Sequence, residues 1–209
     1  MLGIKNTKEQ NMPYSGGVKL QDEISTKIIN TVTKMVYEGG AANINVQMVL
    51  KKLKITNRVF YNRFKNIDEV LICVSQNLVQ KMRQCMLRPY NKKENYHKYL
   101  VSLATDVLIK TYEIKKDFSD YMFNNDIVNE SNKIWWIDHM IPAIEYGVKN
   151  GFLKPMNIKE MAYAIWCFCR GFNVDAIKSR LELNKALETF TMAFTFLIEG
   201  MTLNEDTRK

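Results

Sequence analysis

The fold is decided by residues 45–64, whose sequence is NVQMVLKKLKITNRVFYNRF. Asn45 is a good helix N-cap, because its side-chain oxygen can accept a hydrogen bond from a free N–H group of the first turn. Apolar residues then recur at helical spacing on one face: Val46, Val49, Leu50 and Leu53. We therefore predict a short helix that ends in a turn at Lys54 and Ile55.

A second short helix is predicted directly after this turn. Thr56 is its N-cap, and Phe60 and Phe64 lie one turn apart on its inner face. Its sides and outer face carry Asn57, Arg58, Val59, Tyr61, Asn62 and Arg63. A helix that buries two aromatic rings and presents Asn, Arg and Tyr to solvent is typical of the recognition helix of a helix-turn-helix.

The charge distribution supports a nucleic-acid partner independently. No Asp or Glu occurs between Glu38 and Asp68, and residues 1–66 carry 11 Lys/Arg and 4 Asp/Glu, which is +7 of the total +8. Carboxylates would repel a polyanion, so their absence favours phosphate binding. A basic helix pair in solvent without a partner is the alternative. The helix caps, the helix-turn-helix spacing and the charge distribution together favour DNA as the partner. The basic residues of this interval are Lys51, Lys52, Lys54, Arg58, Arg63 and Lys65.

These motifs resemble the N-terminal DNA-binding domain of the TetR (tetracycline-repressor) family of bacterial regulators. The family pattern has an Ile-Ala pair, an Ala-Gly-Val turn and then Ser-x-x-Thr-Leu-Tyr-x-His-Phe. Here the pair is Val49 and Leu50, and the turn is Leu53, Lys54 and Ile55. In the turn and recognition helix, Tyr61 and Phe64 are identical to the family pattern. The residues that are similar to it in chemical type are Ile55, Thr56, Phe60 and Arg63.

Three residues depart from that pattern. Lys54 stands in place of the turn glycine, so a residue with a side chain must adopt a geometry that glycine takes freely. Arg58 replaces a small residue and changes what the helix offers to bases. Ile67 replaces the lysine that opens the next helix and removes one phosphate contact, for which Lys65 can substitute.

The rest of the chain is also predicted to be helical. A helix over 19–37 precedes the motif, a long helix over 66–88 follows it, and further helices are expected near 96–113, 118–128, 131–147, 158–179 and 184–201. The fold class is all-α, with an N-terminal three-helix helix-turn-helix domain and a C-terminal helical domain for ligand binding and dimerisation. The predicted domains are a flexible arm at 1–18, a DNA-binding domain at 19–66, and an effector-binding and dimerisation domain at 67–209.

We assign DNA contacts by position in the motif. Thr56 lies at a helix N-terminus, where its hydroxyl can meet a phosphate, and the cap Asn45 belongs to the same set. Phosphate contacts that set the register are predicted for Tyr61, Arg63 and Lys65.

Base contacts are predicted for Asn57, Arg58 and Asn62. Arginine pairs bidentately with guanine and asparagine with adenine. Val59 is expected either to contact a thymine methyl group or simply to pack.

The last two predicted helices are too apolar on all sides for surface helices of a monomer. In the TetR family the final two helices form a four-helix bundle with their two-fold mates, and the resemblance implies the same homodimer here. The expected interface residues are Phe168, Phe172, Phe190, Phe194, Leu197 and Met201.

An aromatic-rich helical domain can also enclose an apolar ligand site. We select Trp136, His139 and Trp166 as candidates for binding a small apolar or aromatic effector, with ordinary core packing as the alternative.

Other classes of protein are disfavoured. The sequence has no glycine-rich phosphate loop, no Ser/His/Asp motif and no metal-ligand spacing, so we expect neither an enzyme nor a cofactor or metal site. Neither a signal peptide nor a membrane span is predicted, and four cysteines without framework spacing favour reduced thiols in a cytoplasmic protein.

The sequence thus predicts a ligand-responsive transcriptional regulator, in the role of a repressor. It would bind a near-palindromic operator on double-stranded DNA as a dimer and be released by a small effector. A regulator that answers to a partner protein or to no ligand remains open. So does a helical interaction module whose basic N-terminal end binds a membrane surface or an acidic protein.

Overall fold

The structure, a computed structural model, describes residues 19–113, 118–119, 121–122 and 130–203. These residues contain helices and connecting segments but no β-sheet, and an isolated bridge joins Leu153 to Thr202. The predicted all-α class is confirmed. The predicted arm at 1–18 and most of the predicted helix at 118–128 lie outside the described residues.

Eight helices are defined in the described ranges. They are α1 (Glu23–Gly39), α2 (Val46–Leu53), α3 (Asn57–Tyr61), α4 (Ile67–Met86), α5 (Tyr96–Tyr112), α6 (Glu130–Lys149), α7 (Ile158–Lys178) and α8 (Leu183–Gly200). The chain separates into two compact units that meet at residues 76/77, inside α4. The boundary at 66/67 stays a prediction about where one function ends and the other begins.

The core of the N-terminal unit is built from one apolar stripe on each helix. Ile28, Val32 and Val36 of α1 recur at helical spacing and have no exposed surface. Val49 of α2 and Phe60 of α3 are equally buried, and Phe64 packs against the Phe60 ring at 5.9 Å. Burial of a phenylalanine side chain stabilises a fold by about 1.5–3 kcal/mol, so Phe60 is the main anchor of the five-residue α3.

The turn between α2 and α3 has the geometry that the motif requires. Asn45 caps α2 by accepting a hydrogen bond from the N–H of Met48 at 3.1 Å, and Thr56 caps α3 by accepting from the N–H of Val59 at 3.4 Å. Lys54 adopts the left-handed conformation, with φ 53° and ψ 41°. The expectation that a lysine takes the glycine geometry is confirmed.

A salt bridge that we call the Asp22–Arg63 clamp joins the start of α1 to the segment after α3. Arg63 donates from Nε to Asp22 Oδ1 at 2.9 Å and from Nη2 to Asp22 Oδ2, and its Nη1 donates to the carbonyl of Val59 at 2.7 Å. Asp22 is also the N-cap of α1, where it accepts from the N–H of Ser25. The Arg63 hydrogen bonds, followed by that of Ser25, hold the pKa of Asp22 well below its usual range. The clamp therefore fixes α3 relative to α1.

The C-terminal unit is built around two helix pairs. α5 packs along α8, and α6 packs along α7. The hydroxyl of Tyr96, at the start of α5, donates to the carbonyl of Ala143 near the end of α6. The hydroxyl of Tyr112, at the end of α5, donates to the carbonyl of Leu181 between α7 and α8 at 3.0 Å. These bonds set which helix ends meet around the interior of this unit.

The strained turn gives the first test. Replacing Lys54 with glycine removes the steric cost of a left-handed residue with a Cβ, and we expect the free energy of unfolding to rise by about 1 kcal/mol in a urea titration. The matched control is Lys51→Gly, which makes the same change inside α2 and should lower the free energy of unfolding by about 1 kcal/mol. If the free energy of unfolding changed in the same direction in both variants, the role given to Lys54 would be refuted.

The Asp22–Arg63 clamp predicts a defined pH dependence. Asp22→Asn retains an N-cap but removes the charge, so the variant should melt below the wild type at pH 7. Because the pKa of Asp22 is lowered on folding, its stabilisation is complete above about pH 5 and is lost as the pH falls below the unfolded value of about 3.9. The difference in melting temperature should therefore shrink on acidification.

Thermal melts between pH 7 and pH 3 measure this difference. Glu23→Gln is the control, because Glu23 is an exposed neighbouring carboxylate that makes no side-chain hydrogen bond to other described residues. A gap between wild type and Asp22→Asn that stays constant with pH would show that the clamp does not contribute as described.

Candidate nucleic-acid interface

The residues predicted from the sequence to contact DNA differ in their solvent exposure. Val59, Tyr61 and Asn62 are half-buried, and Arg63 is buried. The exposed members of the set are Asn45, Thr56, Asn57, Arg58 and Lys65.

The N-terminal end of α3 carries the exposed polar side chains. Asn57 and Arg58 form its first turn and follow the cap Thr56 directly. Recognition helices contact base edges mainly through residues near their N-terminus, so these two side chains occupy the position that direct readout requires. The Thr56 oxygen is used as the cap, while its O–H can still donate to a phosphate oxygen.

Arg63 does not fit its predicted role as a phosphate contact. Its side chain is 7% exposed, and its guanidinium is bound to Asp22 and to the carbonyl of Val59. α3 ends at Tyr61, so Arg63 lies beyond the helix and turns inward to the carboxylate that caps α1. We therefore assign Arg63 the positioning of α3. No local sequence signal shows this pairing, because the partners are 41 residues apart.

Exposed cations surround α3. We call Lys51, Lys52, Lys54, Arg58 and Lys65 the basic surface, and each of them is exposed. Lys52 lies 3.5 Å from Glu38, but an exposed pair of this kind contributes little and leaves the lysine available. Glu69 accepts from the backbone N–H of Lys65 and pairs with Lys19, so this neighbouring carboxylate is neutralised. The lysines of α2 and the turn are additions to the predicted contact set.

A second candidate site lies wholly within the C-terminal unit. It is a cavity of about 160 Å³ lined mainly by side chains of α4 to α8. Both Trp136 and Trp166 line it, and their role in binding an effector stays a prediction. Much of the wall is methionine, whose flexible thioether adapts to aromatic and aliphatic ligands. The lining methionines are Met82, Met86, Met122, Met140 and Met201.

His139 does not join Trp136 and Trp166 in this cavity. Its ring stacks on Trp135 with centroids 3.7 Å apart, and its Nδ1 lies 2.8 Å from the carbonyl oxygen of Trp135. It borders a separate cleft that also includes Asp138. The prediction that His139 anchors a ligand in the apolar site is corrected, because the cavity side of α6 follows Trp136 and Met140 instead.

The predicted dimer-interface residues are largely interior. Phe190, Phe194 and Met201 are 0%, 3% and 5% exposed. The ring of Phe190 packs against Phe168 at 5.6 Å and against Phe172 at 5.1 Å, and Leu197 packs against the same core. These side chains join α7 to α8 within one protomer, so Phe190, Phe194 and Met201 leave little surface for a second copy. Phe168, Phe172 and Leu197 are half-buried, and their place at an interface stays a prediction.

Other residues of the same two helices are the ones left exposed. Tyr163 is 51% exposed, Met192 55% and Phe196 66%. α7 adds small exposed residues, and a Cβ placed on Gly171 would meet no atom within 4 Å. We call this set the outer apolar face. Its members are Tyr163, Ala164, Cys167, Gly171, Met192 and Phe196.

Within the described part of the chain, no three His, Cys, Asp or Glu side chains gather as metal ligands, and no helix is both long and apolar enough to cross a bilayer. The four cysteines are free thiols, and burial raises the pKa of Cys169 in the cavity wall to about 12.

The fold is shared with solved structures of regulators. No family model matches the sequence, and no curated protein is similar to it. A TetR-family transcriptional regulator from Pectobacterium atrosepticum superposes with a TM-score of 0.77 at 14% identity, covering 87% of this chain and 95% of that one. A TetR/AcrR-family regulator from Thermobifida fusca gives 0.63 at 14% identity, covering 83% and 97%.

A third similar structure is the regulatory protein TetR from Rhodobacter sphaeroides, with a TM-score of 0.58 at 15% identity, covering 82% of this chain and 96% of that one. All three are described as regulatory proteins, and each is covered almost completely. This chain therefore has the fold of the TetR-family transcriptional regulators.

Proposed function

We propose that this protein is a ligand-responsive transcriptional repressor that binds a near-palindromic operator as a homodimer and is released by a small effector. The observation that carries the proposal is the basic surface around the exposed N-terminal end of α3. Five cations are exposed there, and the carboxylates of Asp22, Glu38 and Glu69 are all engaged in ion pairs. A polyanion meets attraction with little competing repulsion at such a surface.

The contacts divide by chemistry. Arg58 and Asn57 are placed to read base edges, Arg58 by a bidentate pair with guanine. The lysines of the basic surface and the Thr56 hydroxyl bind phosphates and set the register. The Asp22–Arg63 clamp holds α3 in place before DNA is bound. Binding therefore loses little conformational entropy from ordering this helix.

The homodimer is proposed to form through the outer apolar face. Exposed apolar patches on helices are typical of protein interfaces, and the small residues Ala164 and Gly171 allow a second helix to approach closely. Two-fold symmetry then presents two copies of α3 to successive turns of the duplex, about 34–36 Å apart.

The effector is proposed to occupy the cavity between α4 and α8. Because α4 contributes residues to both units, a ligand that packs against Val79 and Met82 acts on the helix that continues into the DNA-binding unit. Binding that favours a non-operator spacing of the two α3 helices provides a coupling free energy, typically about 1–3 kcal/mol. A cytoplasmic location accompanies this role.

The first experiment identifies the operator. Gel shifts with genomic fragments, including the region upstream of the protein's own gene, should show fragment-selective binding that weakens steeply with salt. Equal and weak binding to every fragment, together with binding to anionic vesicles or acidic proteins, would support the helical interaction module instead.

Arg58→Ala tests base readout. Loss of one bidentate pair should weaken binding to the selected fragment by about 1–3 kcal/mol and weaken binding to a scrambled duplex by much less. Lys51→Ala is the control for a phosphate contact, and it should weaken both duplexes equally while reducing the salt slope by about 1. Fluorescence anisotropy over a salt series measures both. Equal losses on both duplexes for Arg58→Ala would remove it from base readout.

Phe196→Glu tests the outer apolar face. A charge buried between two copies is costly, so light scattering should show a monomer with unchanged helical circular dichroism and weakened operator binding. Leu87→Glu is the matched control, since Leu87 is 58% exposed but lies outside this face. A dimer that survives Phe196→Glu, or dissociates in Leu87→Glu, would place the interface elsewhere.

A further inference from the structure

The wall of the cavity in the C-terminal unit is mostly apolar. Among the described residues that line it there is no Asp, Glu, Lys or His, and the one cation is Arg170, whose guanidinium lies 5.6 Å from the centre of the Trp166 ring. A cationic ligand would lose its hydration here without meeting a carboxylate, and burial of an unpaired charge is costly. The wall therefore disfavours cations.

Four Ser, Thr or Asn side chains are found among the described lining residues, and two of them are already hydrogen-bonded within the chain. Thr111 donates from Oγ1 to the carbonyl of Val107 at 2.9 Å. Asn132 accepts at Oδ1 from Nη2 of Arg83 at 2.8 Å. These two polar groups have partners that the fold itself provides.

The other two polar residues of the wall, Ser119 and Asn173, each carry a buried atom without a partner. Ser119 Oγ and Asn173 Oδ1 form no hydrogen bond with the described part of the chain, and Ser119 is only 2% exposed. Buried polar atoms in native proteins are paired in the great majority of cases. Unpaired atoms on residues of a cavity wall therefore indicate that a bound molecule supplies the missing partner.

The chemistry of Asn173 defines that partner. Its Oδ1 is an amide oxygen, which only accepts, so the ligand must bring an O–H or N–H proton. A carboxylate has no proton to give, and an ammonium group brings a charge that no carboxylate of the described wall compensates. A ligand amide adds two N–H donors and a carbonyl, which is more than the unpaired atoms can match. A single hydroxyl fits best, and Ser119 can either donate to an oxygen or accept from a proton.

The size of the cavity limits the rest of the ligand. Its volume of about 160 Å³ is close to that of an apolar cavity of about 150 Å³ that holds one benzene ring. Methionine side chains adapt to the outline of either an aromatic or an aliphatic ring. The apolar body of the ligand is therefore about one ring in size.

We propose that the effector is an uncharged alcohol or phenol with an apolar body of about one ring, whose hydroxyl donates a hydrogen bond to Asn173. This inference rests on the proposed function and gives its effector a chemical class. Asn173 belongs to α7, the helix that also carries Tyr163 and Gly171 of the outer apolar face. The hydroxyl thus binds to a helix of the proposed dimer interface.

Matched triads of probes test the hydroxyl. 1-Phenylethanol, acetophenone and cumene have similar shapes, but their polar group donates and accepts, only accepts, or is absent. Cyclohexanol, cyclohexanone and methylcyclohexane repeat the comparison on an aliphatic ring. Benzoate and 1-phenylethylamine are the charged probes. Isothermal titration calorimetry with the full chain and without DNA measures each affinity.

In at least one triad the alcohol should bind about tenfold more tightly than the ketone, because the ketone leaves Asn173 without a donor. The charged probes should bind most weakly. A ketone that binds as tightly as its alcohol would mean that water satisfies Asn173, and this result would overturn the proposal. Tighter binding of benzoate or of the amine would also overturn it, as would the absence of alcohol binding up to millimolar concentration.

Substitutions then locate the hydroxyl. Asn173→Leu should weaken the preferred alcohol by about tenfold and leave its ketone unchanged, so that the preference disappears. Asn184→Leu is the matched control, because Asn184 is an exposed residue of α8 that does not line the cavity. Should Asn173→Leu fail to fold by circular dichroism, Asn173→Ala gives the same comparison. Equal losses for alcohol and ketone, or the same effect in the control, would contradict the assignment.

The two proposals fail in distinguishable ways. Fragment-selective DNA binding by a chain with no preference for alcohols would overturn this inference alone. An alcohol that binds but leaves operator affinity unchanged would refute its role as the effector. Alcohol binding by a chain that ignores duplex DNA would overturn the proposed function and leave the ligand class standing.

Discussion

The N-terminal unit depends on how a five-residue helix is held. An isolated helix of this length is far below the size that is stable in water, so α3 exists because its surroundings fix it. Phe60 supplies the apolar anchor, and the Asp22–Arg63 clamp closes the segment that follows. The exposed side chains of Asn57 and Arg58 owe their direction to these two contacts. The residues proposed to read bases are thus positioned by residues that would not touch the DNA.

Local sequence patterns were sufficient for most of this unit. The caps at Asn45 and Thr56 and the buried face with Phe60 are determined within a few residues of one another, and periodicity revealed them. The left-handed conformation of Lys54 could also be predicted, because the short helices on either side restrict the backbone conformation of this residue. The role of Arg63 could not be predicted, because the local sequence around a surface arginine does not differ from that around an arginine in a buried salt bridge. The difference is made by Asp22, and only folding brings the two together.

The C-terminal unit was less predictable for a different physical reason. α8 is apolar on more than one side, and periodicity alone cannot say which apolar side faces the core of the protomer. Phe190 and Phe194 take the inner side, whereas Met192 and Phe196, two residues further along in each case, remain outside. The cavity shows the same limit. Its tryptophans stand out by composition, but Asn132 and Asn173 look like ordinary surface residues of amphipathic helices, although both line the cavity.

Two inward-facing arginines are held in different ways. Arg63 has a carboxylate of its own chain on two of its nitrogens and a carbonyl on the third, so each nitrogen has an acceptor before any partner arrives. Arg83 has a neutral amide and an aromatic face, and its Nε has no acceptor among the described residues. Burial of a cation without a counter-charge is unfavourable. The charge of Asp22 therefore makes Arg63 the fixed point from which α3 is positioned, while Arg83 is held by an amide oxygen and the face of Trp135.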